Sequence, residues 1–189
     1  GLTPFFEINS AAKFNIIREV NARTRYGAEL AWAYGPLLLW GEYINLQFSD
    51  VKTSDAQFNI NLEDHYGSLL WMITGEEPTL KNGKIQAIRP LRNLGQGGWG
   101  ALGLAFRYDN FDAGDAAYKH LIDPKTYVRE ATAYTIAVNW YLNPYIRLLL
   151  NATRTNFDQP LLIYKDSLTG EIFYSDREDV VEGRFQFQF

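Results

Sequence analysis

Along most of this chain apolar and polar residues alternate singly, the period of a strand whose side chains point by turns to two faces. Extended stretches are predicted at RYGAELAWAY (25–34), LLLWGEYINLQFS (37–49), WGALGLAFRYD (99–109), ATAYTIAVNWYL (131–142), YIRLLLNATRT (145–155) and GRFQFQF (183–189). HYGSLLWMIT (65–74) is apolar with a weaker period, and PFFEINSAAKFNI (4–16) is a candidate opening strand. That makes about eight strands, mostly near the 9–11 residues a tilted strand needs to cross a hydrocarbon layer. No stretch reads convincingly as helix.

The two parities differ in chemistry. In five of these strands one parity holds Tyr26, Leu30, Trp32, Leu104, Phe106, Ile136, Val138, Leu150, Phe185 and their companions, 22 positions without a charge. At the chain's overall charge content, about four or five charges would fall there at random. The other parity holds Arg25, Glu29, Arg107, Asp109, Asn139, Arg147, Asn151, Arg184, Gln186 and small residues. The second strand resists the scheme. A single register from Leu38 to Phe48 puts Glu42 on the apolar side, so a bulge is expected there.

Connections differ in length. Gly35-Pro36 and Asn143-Pro144 are tight turns, whereas 50–64, 110–130 and 158–182 are long, polar and expected to be loops. Tight turns at one rim and long loops at the other are how outer-membrane barrels are built. Segment 75–97 is the exception, long on the tight-turn side, and its KIQAIRPLR suggests an extra extended piece. Aromatics gather at strand ends. Trp32, Tyr34, Trp40, Trp99, Trp140, Tyr141 and Tyr145 lie near the tight-turn rim, with Phe48, Tyr108, Phe111 and Phe157 near the other, as two interfacial girdles would.

A soluble barrel turns its apolar parity inward and a membrane barrel turns it toward lipid. Aromatic strand ends, unequal connections and a terminal strand closing on Phe189 favour lipid. The fold class expected is therefore all-β, an antiparallel transmembrane barrel, since strands in lipid must close without edges.

Composition narrows the function. The 189 residues carry a net charge of −4 and a pI near 5.2, which argues against nucleic acid as partner. No apolar run approaches the roughly 18 residues of a membrane helix. GLTPFFEINS has neither a basic region nor a long apolar core, so it reads as no signal peptide and the chain as mature or a fragment. The absence of cysteine suits a reducing compartment or a bacterial envelope equally.

Several motifs offer chemistry and are set aside. GQGGWG (95–100) matches G-x-G-x-x-G but leads into an alternating strand, where a dinucleotide fingerprint would open a helix. His65 and His120 are isolated and give no metal spacing. Asp64, His65 and Ser68 lack the supports of a triad. Asn151-Ala152-Thr153 is a glycosylation sequon placed mid-strand. Glu76-Glu77 and Glu178-Asp179 lie in connections, as solvated carboxylates or loop calcium ligands. No residue supports catalysis, a metal or a cofactor.

NWYLNPYIRLLLN (139–151), YGAELAW, GPLLLWGEYI, MITGEEP, GGWGALGLAFRYDNFD and the terminal FQF resemble the phosphate-selective porin family (porins O and P), in the family's order from about residue 26 onward. WYLNP is the most specific of them. The resemblance implies a trimeric, sixteen-stranded porin of a Gram-negative outer membrane, with residues 1–189 either a single β-barrel domain or the C-terminal portion of a larger barrel. It implies passive diffusion of small, anionic, phosphate-like solutes, partners in membrane lipids and lipopolysaccharide, and recognition of Phe189 by outer-membrane assembly machinery. The residues themselves name Arg25, Glu29, Arg107, Asp109, Asn139, Arg147, Asn151 and Arg184 as pore-lining, and Trp32, Tyr34, Tyr108, Trp140 and Phe189 as the lipid-facing girdle. Guanidinium forks at Arg25, Arg107, Arg147 and Arg184 suit phosphate oxygens, or pair with wall carboxylates to stiffen the barrel. The alternative is a small closed eight-stranded barrel of structural or interaction role, whose filled interior would not conduct. A lipocalin-like soluble binder is a third reading.

Overall fold

The computed structural model describes residues 5–6, 17–122, 127–165 and 168–187. Its elements are β1 (Ala22–Tyr34), β2 (Leu37–Lys52), β3 (Gln57–Met72), β4 (Leu80–Lys81), β5 (Lys84–Ile85), β6 (Ala101–Asp112), α1 (Gly114–Leu121), β7 (Glu130–Asn143), β8 (Ile146–Lys165) and β9 (Ile172–Phe187). Seven strands form one sheet in the order β1-β2-β3-β6-β7-β8-β9, every neighbour antiparallel, with β4 and β5 a separate hairpin. Among the described residues β1 and β9 each pair on one side only. The predicted opening strand at 4–16 lies almost wholly outside the described residues.

Pairing registers assign every side chain to a face. Trp32, Leu39, Leu69, Phe106, Ile136, Ala152 and Val181 form one continuous row across the sheet. The next row, on the opposite face, is Ala31, Trp40, Ser68, Arg107, Thr135, Thr153 and Val180. The apolar face stands bare. Leu104, Val138 and Phe187 are exposed, as are Leu30, Trp32, Tyr34 and Ile136, the last at 63%. The buried clusters lie on the other face, around Leu38 and Met72 at one rim and Val51 and Ile60 at the other. An apolar exterior over an interior of mixed polarity inverts the order of a water-soluble sheet.

The apolar band also reports strand tilt. On β9 its top is Val181, which registers through the sheet with Trp32, yet on β1 the band climbs to Tyr26. That slide, Trp32 to Tyr26 over six strand steps, is about one residue per step. At about 3.3 Å rise and 4.8 Å spacing it gives a tilt near 35°, within the range of closed barrels. From Tyr26 to Tyr34 the band then spans about 22 Å along the barrel axis, close to the ~25 Å of an outer-membrane belt.

Three expectations are corrected. The long polar loops are largely strand: β2 and β3 reach Lys52 and Gln57, and β8 and β9 reach Lys165 and Ile172. The β3 extension keeps its alternation, with Phe58 and Ile60 turned under α1 and Gln57, Asn59 and Asn61 exposed, whereas Ile172, Phe173 and Tyr174 of β9 are exposed on both faces and carry no period. The third such segment holds α1, whose Ala117 and Leu121 bury against Val51 and Ile60. Eight residues are too few to show a helical period in the sequence. Finally, no bulge occurs at Glu42. The β1–β2 register is unbroken, with Glu29 opposite Glu42, and the irregularity falls between Phe48 and Val51. In β2 it is the other face that is rich in large apolar residues, because Leu38 and Phe48 pack under inward-folded segments.

Candidate functional site

The face opposite the apolar band is covered at both rims. At the tight-turn rim the connector between β3 and β6 folds back on it, seating Ile88 and Leu80 against Leu38, Leu70, Met72, Ala101 and Tyr141. Glu76 pins this connector. It is 3% exposed, accepts the Leu91 N–H at 3.0 Å and takes the hydroxyl hydrogen of Thr74. The same hydroxyl accepts the Leu102 N–H at 2.8 Å, tying the connector to β6. A buried carboxylate needs such donors to offset lost hydration; Glu76 is therefore not the solvated carboxylate its position in a connection suggested.

At the opposite rim α1 lies over Val51 and Ile60, while Phe5 and Phe6 pack on Phe111 at ring distances of 5.6 and 5.0 Å. Arg129 ties α1 to the start of β7 through Asp115 at 2.5 Å, and that bond raises its guanidinium above the ordinary value. Between the two covers lies a groove of about 560 Å³, floored by Ser68, Arg107, Thr135, Asn139, Arg147, Asn151 and Gln186 and bounded by Ile85–Ile88.

All eight residues expected at the pore share this face by register, and four of them, Arg107, Asn139, Arg147 and Asn151, meet in the groove. Their charges are unequally engaged. Arg107 grips both oxygens of Asp109 at 2.8 and 2.9 Å and lies over the Tyr66 ring at 3.7 Å. Arg184 reaches Glu182 at 3.5 Å. Arg147 instead donates to Gln186 at 2.7 Å and to the Tyr141 hydroxyl at 3.4 Å, both neutral. Among the described residues it has no carboxylate partner, and neither has Arg25. The paired and the unpaired reading of the arginines therefore both occur, at different residues.

Gln186 and Thr135 stood on the polar parity in the sequence without being singled out. Tyr66 was missed because its strand alternates weakly; the connector was expected to hold an extra extended piece, found as β5, but its fold onto the groove leaves no period in the sequence. Trp32, Tyr34, Tyr108 and Trp140 lie on the opposite, apolar face, whereas Phe189 lies outside the described residues. Several other aromatics assigned to girdles face the groove side instead, namely Trp40, Phe48, Phe111, Tyr141 and Phe157, held under the connector, α1 or Phe5.

Gly95, Gly97 and Gly100 have positive φ and lead into β6. Asp64 and His65 point to opposite faces, and His120 stacks on Phe58. Among the described residues no His, Cys, Asp and Glu group could hold a metal. Glu178 and Asp179, expected in a connection, sit instead within β9, where Asp179 accepts from Arg154.

An antiparallel meander with a bare apolar belt, inclined strands and an inward-folded polar side is the wall of a transmembrane β-barrel. The chain matches the family model for phosphate-selective porins O and P across residues 8–189 and belongs to that family. It is 29% identical over 132 residues to porin O of Pseudomonas aeruginosa, covering 65% of this chain and 27% of that porin. The chain thus spans about a quarter of the length of the curated relative it matches.

Proposed function

We propose that this chain forms part of the wall and constriction of an outer-membrane diffusion channel for small anions, within a longer, trimeric barrel of a Gram-negative bacterium. Transport is passive: the connector and α1 narrow the lumen, and wall charges bias which ions enter. The carrying observation is Arg147, a guanidinium in the groove beside Asn139, Asn151 and Gln186 whose hydrogen-bond partners are neutral. A fork with N–H groups to spare suits a phosphate or carboxylate oxygen pair. Arg107 and Arg184, each beside a carboxylate, contribute less net field. Arg25, Glu29, Asp109, Asn139 and Asn151 line the same water-filled side. Among the described residues β1 and β9 are edges of the sheet, which supports a place in a wider ring over a small closed barrel that does not conduct.

The test is ion selectivity of the full-length protein in planar bilayers, wild type against Arg147→Gln. Anion preference in the wild type that falls in the variant is the expected result. Cation preference in the wild type removes the anion reading, and absence of current removes the channel.

A further inference from the structure

We propose that residues 91–100, at the end of the connector, are a phospholipid anchor seated in the headgroup layer at the tight-turn rim. The inference rests on the membrane-barrel reading and adds a lipid site to it. The segment is a built platform. The Leu94 N–H donates to the Leu142 carbonyl at 2.8 Å, the Gly100 N–H to the Arg92 carbonyl at 3.1 Å, and the Trp140 indole N–H to the Trp99 carbonyl at 2.7 Å. Glycine is required for its closeness: a Cβ at Gly100 would stand 2.2 Å from the Tyr141 carbonyl oxygen.

A platform held this firmly nonetheless leaves its large apolar side chains bare. Trp99 is 80% exposed, Leu91 72%, and Leu94 is exposed too. Trp140, to which Trp99 is joined, belongs to the outward row Leu102, Trp140, Leu148 and Phe185, so Trp99 adjoins the bare apolar belt at this rim. Arg89 and Arg92 flank them, exposed and without a carboxylate partner among the described residues. Apolar side chains that continue a lipid belt, bordered by free guanidiniums, match the glycerol and phosphate zone of a phospholipid leaflet. Continuity with the belt and the two free cations favour lipid over a second copy of the chain.

The chain has no cysteine, so Leu94→Cys in the full-length barrel can carry a single environment-sensitive nitrobenzoxadiazole label. The label is read in phosphatidylcholine vesicles with and without phosphatidylglycerol, using a lipid nitroxide at headgroup depth, with Ile136→Cys as the mid-belt control. The expected result is a blue shift and nitroxide quenching at position 94, stronger with phosphatidylglycerol. That lipid difference should be lost in Arg89→Gln/Arg92→Gln. Water-like, unquenched emission at 94 with normal burial at 136 overturns the anchor alone. The same emission at both positions overturns the membrane reading beneath it. Blue emission at 94 that persists in detergent and ignores the nitroxide assigns the surface to protein contact, which also overturns the anchor.

Discussion

Thr135 and Ile136 are adjacent in sequence and face different solvents. Thr135 shares the groove with Arg107 and bonds Thr153 at 2.9 Å, while Ile136 stands on the bare belt. An arginine in hydrocarbon loses hydration that a lumenal arginine keeps. Ile136→Arg is therefore expected to lower stability by about 2–4 kcal/mol, and Asn151→Arg by well under that, measured by denaturant titration of the barrel in lipid vesicles. Glu29 and Glu42 oppose each other on the groove side, two like charges whose field favours cations. Glu42→Gln is expected to raise the anion-to-cation permeability ratio in planar bilayers, opposite in sign to Arg147→Gln.

The connector is the element whose role is most specific. Its hold on the lumen wall depends on Glu76, a carboxylate with two protein donors and almost no contact with water. Glu76→Ala leaves the Leu91 N–H without its acceptor, a loss of about 1–3 kcal/mol. Single-channel conductance should then rise and grow noisier as the connector leaves the wall, with ion preference changed less. Strands were legible in the sequence wherever one face meets lipid, because hydrocarbon enforces strict alternation. In β2 the charged side is itself packed under the connector and α1, so large apolar residues occupy both parities and Glu42 was misplaced. The β3 extension turns its apolar parity under α1, the reverse of the belt's, the β9 extension is exposed on both faces, and α1 is too short to show a period, so none of them continues the pattern of the belt. Site legibility follows the same rule: Arg107 and Arg147 fall on the polar parity of clear strands, while Ile85–Ile88 reach the groove only through tertiary folding.

At the scale of the whole molecule, the slide of the apolar band ties the strand registers to the bilayer. In the proposed longer barrel further strands cover β1 and β9, because edges in hydrocarbon would leave backbone groups unpaired. The full-length barrel should therefore protect the β1 and β9 amides from hydrogen exchange as strongly as those of β7; rapid exchange along either edge would argue against closure. Which face of the sheet meets lipid decides the rest, and single-cysteine scanning of β7 from Tyr134 to Tyr141 in reconstituted barrels reads it residue by residue, since the chain offers no competing thiol. A membrane-impermeant maleimide should label positions 135, 137 and 139, while probes at 136 and 138 stay unlabelled by it and report lipid quenching. The reverse alternation, with 136 and 138 reached from water and 135, 137 and 139 shielded by lipid, would mean that the apolar face is turned inward and the chain is not a membrane barrel.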